Sequence, residues 1–189
     1  MPAPGTPGRE SPAHRSAEVS ITIVTGGRDA GKTRWVRDLA ARRPVWGFIS
    51  PKLFTAGVFA GYDLLFLPGG DRMPLARRAG PDDGSTGPAD AAPDDGSFRF
   101  RRFRFNTAAF NRAKEEAQRV LAAGGPSPQT VIVLDEVGPL EVDGGGFREV
   151  LDGILAAGRP AVLTTRPGLA AWLTERAGAD RVEVIDLGP

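Results

Sequence analysis

Residues Gly26-Gly27-Arg28-Asp29-Ala30-Gly31-Lys32-Thr33 place a lysine and a hydroxyl directly after a glycine-rich turn. They match G-x-x-x-x-G-K-[ST] at every fixed position, and the chemistry of that pattern is phosphate binding. The glycines let backbone N–H groups turn inward on phosphate oxygens, and a helix opening at Lys32 would present its positive N-terminus. Lys32 adds a mobile positive charge, and the Thr33 hydroxyl suits Mg²⁺. With Arg34, the nine residues from Gly26 form the expected nucleotide-binding set. Lys32, Lys52 and Lys114 are the chain's only lysines among 24 basic residues, so a lysine at this position is informative.

A second anchor for magnesium is expected at the end of another strand. Val131-Ile132-Val133-Leu134 is the most apolar run in the chain, and it ends in Asp135 and Glu136. Asp135 is the expected metal anchor, and Glu136 the expected catalytic group that orients or deprotonates the attacking water, alongside Lys32. A third strand ends in Thr164, Thr165 and Arg166. Thr165 and Arg166 are candidate γ-phosphate contacts, with capping of the next helix as the alternative.

These groups meet only if strands and helices alternate, and the sequence alternates them. Val19 to Thr25 reads as a buried strand, and Lys32 to Arg43 as a helix stopped by Pro44. "VWGFIS" is a compact apolar run, and "GVFAGYDLLFL" an extended, antiparallel one. A helix from Thr107, a strand from Val131, a helix from Phe147, a strand from Ala161, a helix from Gly168 and a strand from Arg181 follow. The expected fold is α/β, a mainly parallel sheet with helices on both faces. Residues 19–189 read as one domain, preceded by a disordered tail at 1–18 rich in Pro, Gly and Ser. Residues 80–97 hold the pentapeptide PDDGS twice and read as a mobile low-complexity loop. "FRFRRFRF", Phe98 to Phe105, reads as a strand with phenylalanines inward and arginines outward, bulged where the alternation changes phase between Arg101 and Arg102. Its rival reading is a stacking platform for single-stranded nucleic acid.

Composition narrows the chemistry. There is no cysteine and a single histidine, His14, which excludes disulfides and thiolate metal sites and disfavours a Ser/His triad. A net charge of +1 gives no broad field for nucleic acid. No apolar run approaches 18 residues and no secretory signal opens the chain, so a cytoplasmic protein without a membrane partner is expected. The oligomeric state is not legible.

"GGRDAGKT", "GFISPKLFTAGVFAGYDLLFL", "RMPLARR" and "VIVLDEVGPLEVDGGGF" together resemble the small P-loop nucleoside-triphosphatase family found in thermophiles and in humans as cancer-related nucleoside triphosphatase. That family's DEIGPMEL block falls on Asp135 to Val142, with Phe147 in the expected place. Its GKY segment falls on Arg101-Arg102-Phe103, where glycine and tyrosine are both replaced, and Tyr62 stands for a phenylalanine. The resemblance implies Mg²⁺-dependent hydrolysis of ATP, GTP and related nucleoside triphosphates to diphosphates. It also implies a RecA-like strand order, with Ala161 to Thr165 between the phosphate-loop strand and the strand of Asp135. A nucleoside, polynucleotide or small-molecule kinase, and a nucleotide-gated binding module, are the competing readings of the same loop.

Overall fold

The computed structural model describes residues 20–79 and 96–189; the expected tail and most of the expected PDDGS loop lie outside the described residues. Among the described residues, ten strands form one sheet. In chain order they are β1 (Ile21–Thr25), β2 (Val45–Ile49), β3 (Lys52–Thr55), β4 (Val58–Leu67), β5 (Arg72–Arg78), β6 (Ser97–Phe100), β7 (Phe103–Asn106), β8 (Val131–Val137), β9 (Ala161–Thr165) and β10 (Val182–Asp186). The spatial order is β10-β1-β9-β8-β2-β4-β5-β7-β6, with β3 paired to β4 off that path. The first five strands run parallel, and antiparallel pairing begins where β4 joins β2. β9 therefore lies between the phosphate-loop strand and the acid-bearing strand, the order expected from the sequence, and the "GVFAGYDLLFL" run supplies the antiparallel extension.

Parallel strands covered on both faces must be apolar throughout. Every residue of β2 and β9 is buried. The pleat then sorts side chains into two layers. Ile21 and Ile23 of β1, with Ile132 and Leu134 of β8, face one layer together with Leu151, Ile154 and Leu173. Val24, Val131 and Val133 face the other, where Val36 packs. Val36 belongs to α1 (Lys32–Ala40); the opposite layer is built by α2 (Thr107–Ala122), α4 (Arg148–Ala156) and α5 (Pro167–Ala177). A short α3 (Pro139–Val142) follows β8. Each fully buried Ile or Leu contributes about 1.5–3 kcal/mol. The pleated layers thus hold β1, β8 and β9 in register, with their C-terminal ends at one edge.

Two local expectations need correction. The "FRFRRFRF" segment is not one bulged strand but a hairpin, β6 and β7, turning at Arg101-Arg102 and pairing Phe100 with Phe103 and Phe98 with Phe105. The change of phase is the turn itself, and Arg101 makes it with a φ of 55°. Ser97, expected in the loop, opens β6. The helix α2 is capped by Asn106, whose side chain accepts from the Ala108 N–H at 3.0 Å, and Thr107 is its first residue. Among the described residues, no helix is long and apolar enough to cross a membrane.

Candidate active site

The phosphate loop joins β1 to α1. Gly31 occupies the N-cap position with a φ of 94°, and a Cβ there would meet nothing within 4 Å. Glycine is needed for the backbone angle, and the space in front of it is open. No side chain caps α1. The Lys32 and Thr33 amides, at the start of the helix, have no intrahelical partner and face no capping group. Such a terminus is suited to an anion. Lys32 is buried, its ammonium donating to the Gly26 and Gly27 carbonyls at 2.7 Å each. The Gly27 N–H donates to the Gly188 carbonyl at 2.8 Å. Arg28, Asp29 and Arg34 are exposed. An ion pair from Lys52 on β3 to Asp29 ties the β3–β4 hairpin to the loop and holds the Asp29 carboxyl below its ordinary range.

Opposite the loop stand the two acids. Asp135 is 1% exposed and forms no ion pair among the described residues. One of its carboxylate oxygens accepts from the Thr33 hydroxyl at 2.8 Å and the Ser50 N–H at 3.1 Å; the other accepts from the Thr164 hydroxyl at 2.5 Å. A buried carboxylate served only by neutral donors carries an uncompensated charge, which is costly unless a cation joins it. The donor set of hydroxyl and carboxylate oxygens is hard and matches Mg²⁺, which keeps several waters and needs few protein ligands. Thr33 and Asp135 are the residues that would hold it. Among the described residues no group of three or more metal-ligating side chains gathers.

Glu136 reaches the site by an unusual backbone route. Successive side chains of a regular strand point to opposite faces, so Asp135 and Glu136 would ordinarily diverge. Here Leu134 pairs with Leu163 and Val137 with Thr165, leaving Asp135 and Glu136 opposite Thr164 alone. This is a β-bulge, and Glu136 takes a φ of 62° to make it. The Glu136 N–H, lost to the strand ladder, is taken by the Thr164 hydroxyl at 2.8 Å. One threonine therefore bonds both acids. Burial, and secondarily the neighbouring Asp135 charge, push the Glu136 carboxyl above its ordinary range, against the opposing pull of Lys32, Arg166 and Lys52. A carboxylate so placed accepts a proton more readily than a solvated one.

The other strand-end residues separate. The Thr165 hydroxyl is fully buried and donates to the Val137 carbonyl at 2.7 Å, so its hydrogen goes to the bulge and not to a phosphate. Arg166 is exposed and lines a cleft of about 400 Å³ together with Glu136. Tyr62, Phe100, Phe103, Phe105, Phe110 and Phe147 wall that cleft. Below it, the buried Glu141 accepts from the Gly138 and Phe147 amides at 2.8 and 3.0 Å, pinning the turn after β8. Burial raises the Glu141 carboxyl despite those amides. The Ser50 amide, the bridging role of Thr164 and the aromatic cleft carry no sequence motif of their own. The DEVGPLEV block was the one signal that reached Glu141.

A glycine loop, an open helix N-terminus and a hydroxyl–carboxylate pair across parallel strand ends define a P-loop fold of the nucleoside-triphosphatase kind. A family model described as NTPase matches residues 21–187, and the chain belongs to that family. Two solved structures share the fold. THEP1 from the hyperthermophile Aquifex aeolicus is similar with a TM-score of 0.65 and 18% identity, over 89% of this chain and 90% of that one. A human cancer-related nucleoside triphosphatase is similar with a TM-score of 0.58 and 21% identity, over 87% of each chain. Among curated proteins, none matches the sequence.

Proposed function

We propose that the protein hydrolyses nucleoside triphosphates to diphosphate and phosphate in a magnesium-dependent reaction, with little selection among bases. The observation that carries this reading is the bulge at Asp135-Glu136, which gives adjacent acids two jobs in one place. Asp135 joins Thr33 at 2.8 Å, and Glu136 stands free of that pair beside Arg166 and the cleft. Bound Mg²⁺ would neutralise charge on the phosphates. Lys32 gives up its two carbonyls for phosphate oxygens, and the amides opening α1 bind the same group. Glu136 orients water and takes its proton, while Arg166 stabilises charge on the transferring phosphoryl group. Thr164 keeps both acids in position through its two hydrogen bonds.

The test is phosphate release from ATP, GTP, CTP and UTP with and without Mg²⁺, in the native protein and in Glu136→Gln. The variant is expected to bind a non-hydrolysable analogue normally and to turn over about 10²-fold more slowly. Near-native turnover would remove Glu136 from its role, and metal-independent release would remove the pair of Thr33 and Asp135.

A further inference from the structure

Hydrolysis needs room beside Glu136 for one water, whose share of liquid volume is about 30 Å³. The cleft that Glu136 lines is about 400 Å³. That is more than tenfold larger, and within the range of small-molecule sites. Its walls are aromatic: Tyr62 and Phe103 lie 5.6 Å apart between ring centres, Phe103 and Phe105 6.2 Å, and Phe105 and Phe110 5.8 Å. Ring faces and edges of this kind select a planar ring.

The rim carries the opposite character. Arg101, Arg102 and Arg166 line the cleft, are exposed, and form no ion pair among the described residues. The guanidinium groups of Arg101 and Arg102 lie 5.4 and 5.3 Å from the rings of Phe100 and Phe103, so positive charge sits beside two of the cleft's aromatic walls. Arg101 also keeps its φ of 55° at the turn, a conformation that costs a long side chain energy and that glycine or asparagine takes easily. Two acids line the cleft, and Glu141 is already taken by the Gly138 and Phe147 amides; aromatic walls, exposed arginines and the Glu136 carboxylate describe a ligand with a flat ring, an anionic group and a hydroxyl.

We propose that this cleft is an acceptor site for a planar aromatic anion that bears a hydroxyl group, and that the protein passes the γ-phosphoryl group to that hydroxyl as well as to water. The proposal rests on the reading that the terminal phosphate of the nucleotide lies at Glu136. In the transfer, the acceptor O–H bond breaks and Glu136 takes the proton. The acceptor oxygen bonds to the γ-phosphorus, and the bond from that phosphorus to the β–γ bridging oxygen breaks. The products are a phosphorylated acceptor and a nucleoside diphosphate.

The probes are the four common nucleoside 5′-monophosphates and pyridoxal 5′-phosphate, each titrated calorimetrically into protein saturated with Mg²⁺ and a non-hydrolysable GTP analogue. At least one is expected to bind once per chain. Binding should weaken at least tenfold in Arg101→Glu/Arg102→Glu, whose sites are exposed and whose fold is checked by its melting curve. With γ-phosphate-labelled GTP, label should appear on the bound probe, and Glu136→Gln should lose the transfer while keeping the binding. Absence of binding by every probe overturns the proposal. So does binding that the analogue abolishes, which would make the cleft the base pocket of a single nucleotide. Binding with label recovered only as free phosphate overturns it as well. Tight probe binding in a protein that releases no phosphate from any triphosphate would instead count against the hydrolytic reading alone.

Discussion

The two halves of the sheet solve different problems. The parallel half, β10-β1-β9-β8-β2, is covered by helices on both faces, and all five residues of β2 and of β9 are buried. Its outputs are strand ends, where the loop, Asp135 and Glu136 stand on a frame with little freedom to shift. The antiparallel half is half-buried along β7, exposes Phe54 and Val58 on the β3–β4 hairpin, and relies on polar links. Asp63 on β4, 7% exposed, pairs with Arg72 at 2.8 Å and Arg77 at 2.7 Å. The contrast teaches that the candidate phosphate site is placed where packing is tightest, and the proposed acceptor surface where rearrangement costs less.

If that division holds, substitutions in the two halves should separate turnover from stability. The largest effect is expected from Lys32→Ala, which removes the buried ammonium held at 2.7 Å from two loop carbonyls. The value of kcat/KM should fall about 10³-fold, with analogue affinity falling too. A loss under tenfold in steady-state kinetics would move the phosphate site away from the loop. Thr164→Val keeps the buried shape but deletes both hydrogen bonds to the acids. Turnover should drop about tenfold with triphosphate affinity nearly unchanged, since each lost bond is worth about 1–2 kcal/mol. Unaltered kcat would mean that the bulge holds Glu136 without its threonine. Asp63→Ala leaves two half-exposed arginines without their acid, so the screened loss is about 1–2 kcal/mol in urea unfolding, with turnover within about twofold. A kinetic loss matching that of Thr164→Val would show that the halves act as one.

How much of this was legible depended on whether chemistry dictated residue type. The phosphate loop was readable because only glycine takes the Gly31 conformation comfortably and only a lysine serves at position 32. The acid strand was readable because a buried parallel strand is apolar until its end. The strand order followed from resemblance. The choice between Thr164 and Thr165 was not legible, because a bulge on the neighbouring strand shifts the pairing by one residue, so that Val137 and not Glu136 stands opposite Thr165. The left-handed angle at Glu136 left no trace either, since glutamate carries no preference for it. The hairpin at Arg101-Arg102 was hidden for the same reason. A change of phase fits a bulge as well as a turn, and the glycine or asparagine that would have decided the matter is an arginine.

One further consequence concerns the ammonium of Lys32. Because it already satisfies two carbonyls of its own loop, a polyphosphate bound as proposed would not meet a bare cation but would trade places with oxygens of the chain. Capture would then be an exchange of one charge-assisted pair of bonds for another, and departure of the diphosphate the same exchange in reverse. The loop carbonyls would thus compete with product as well as with substrate.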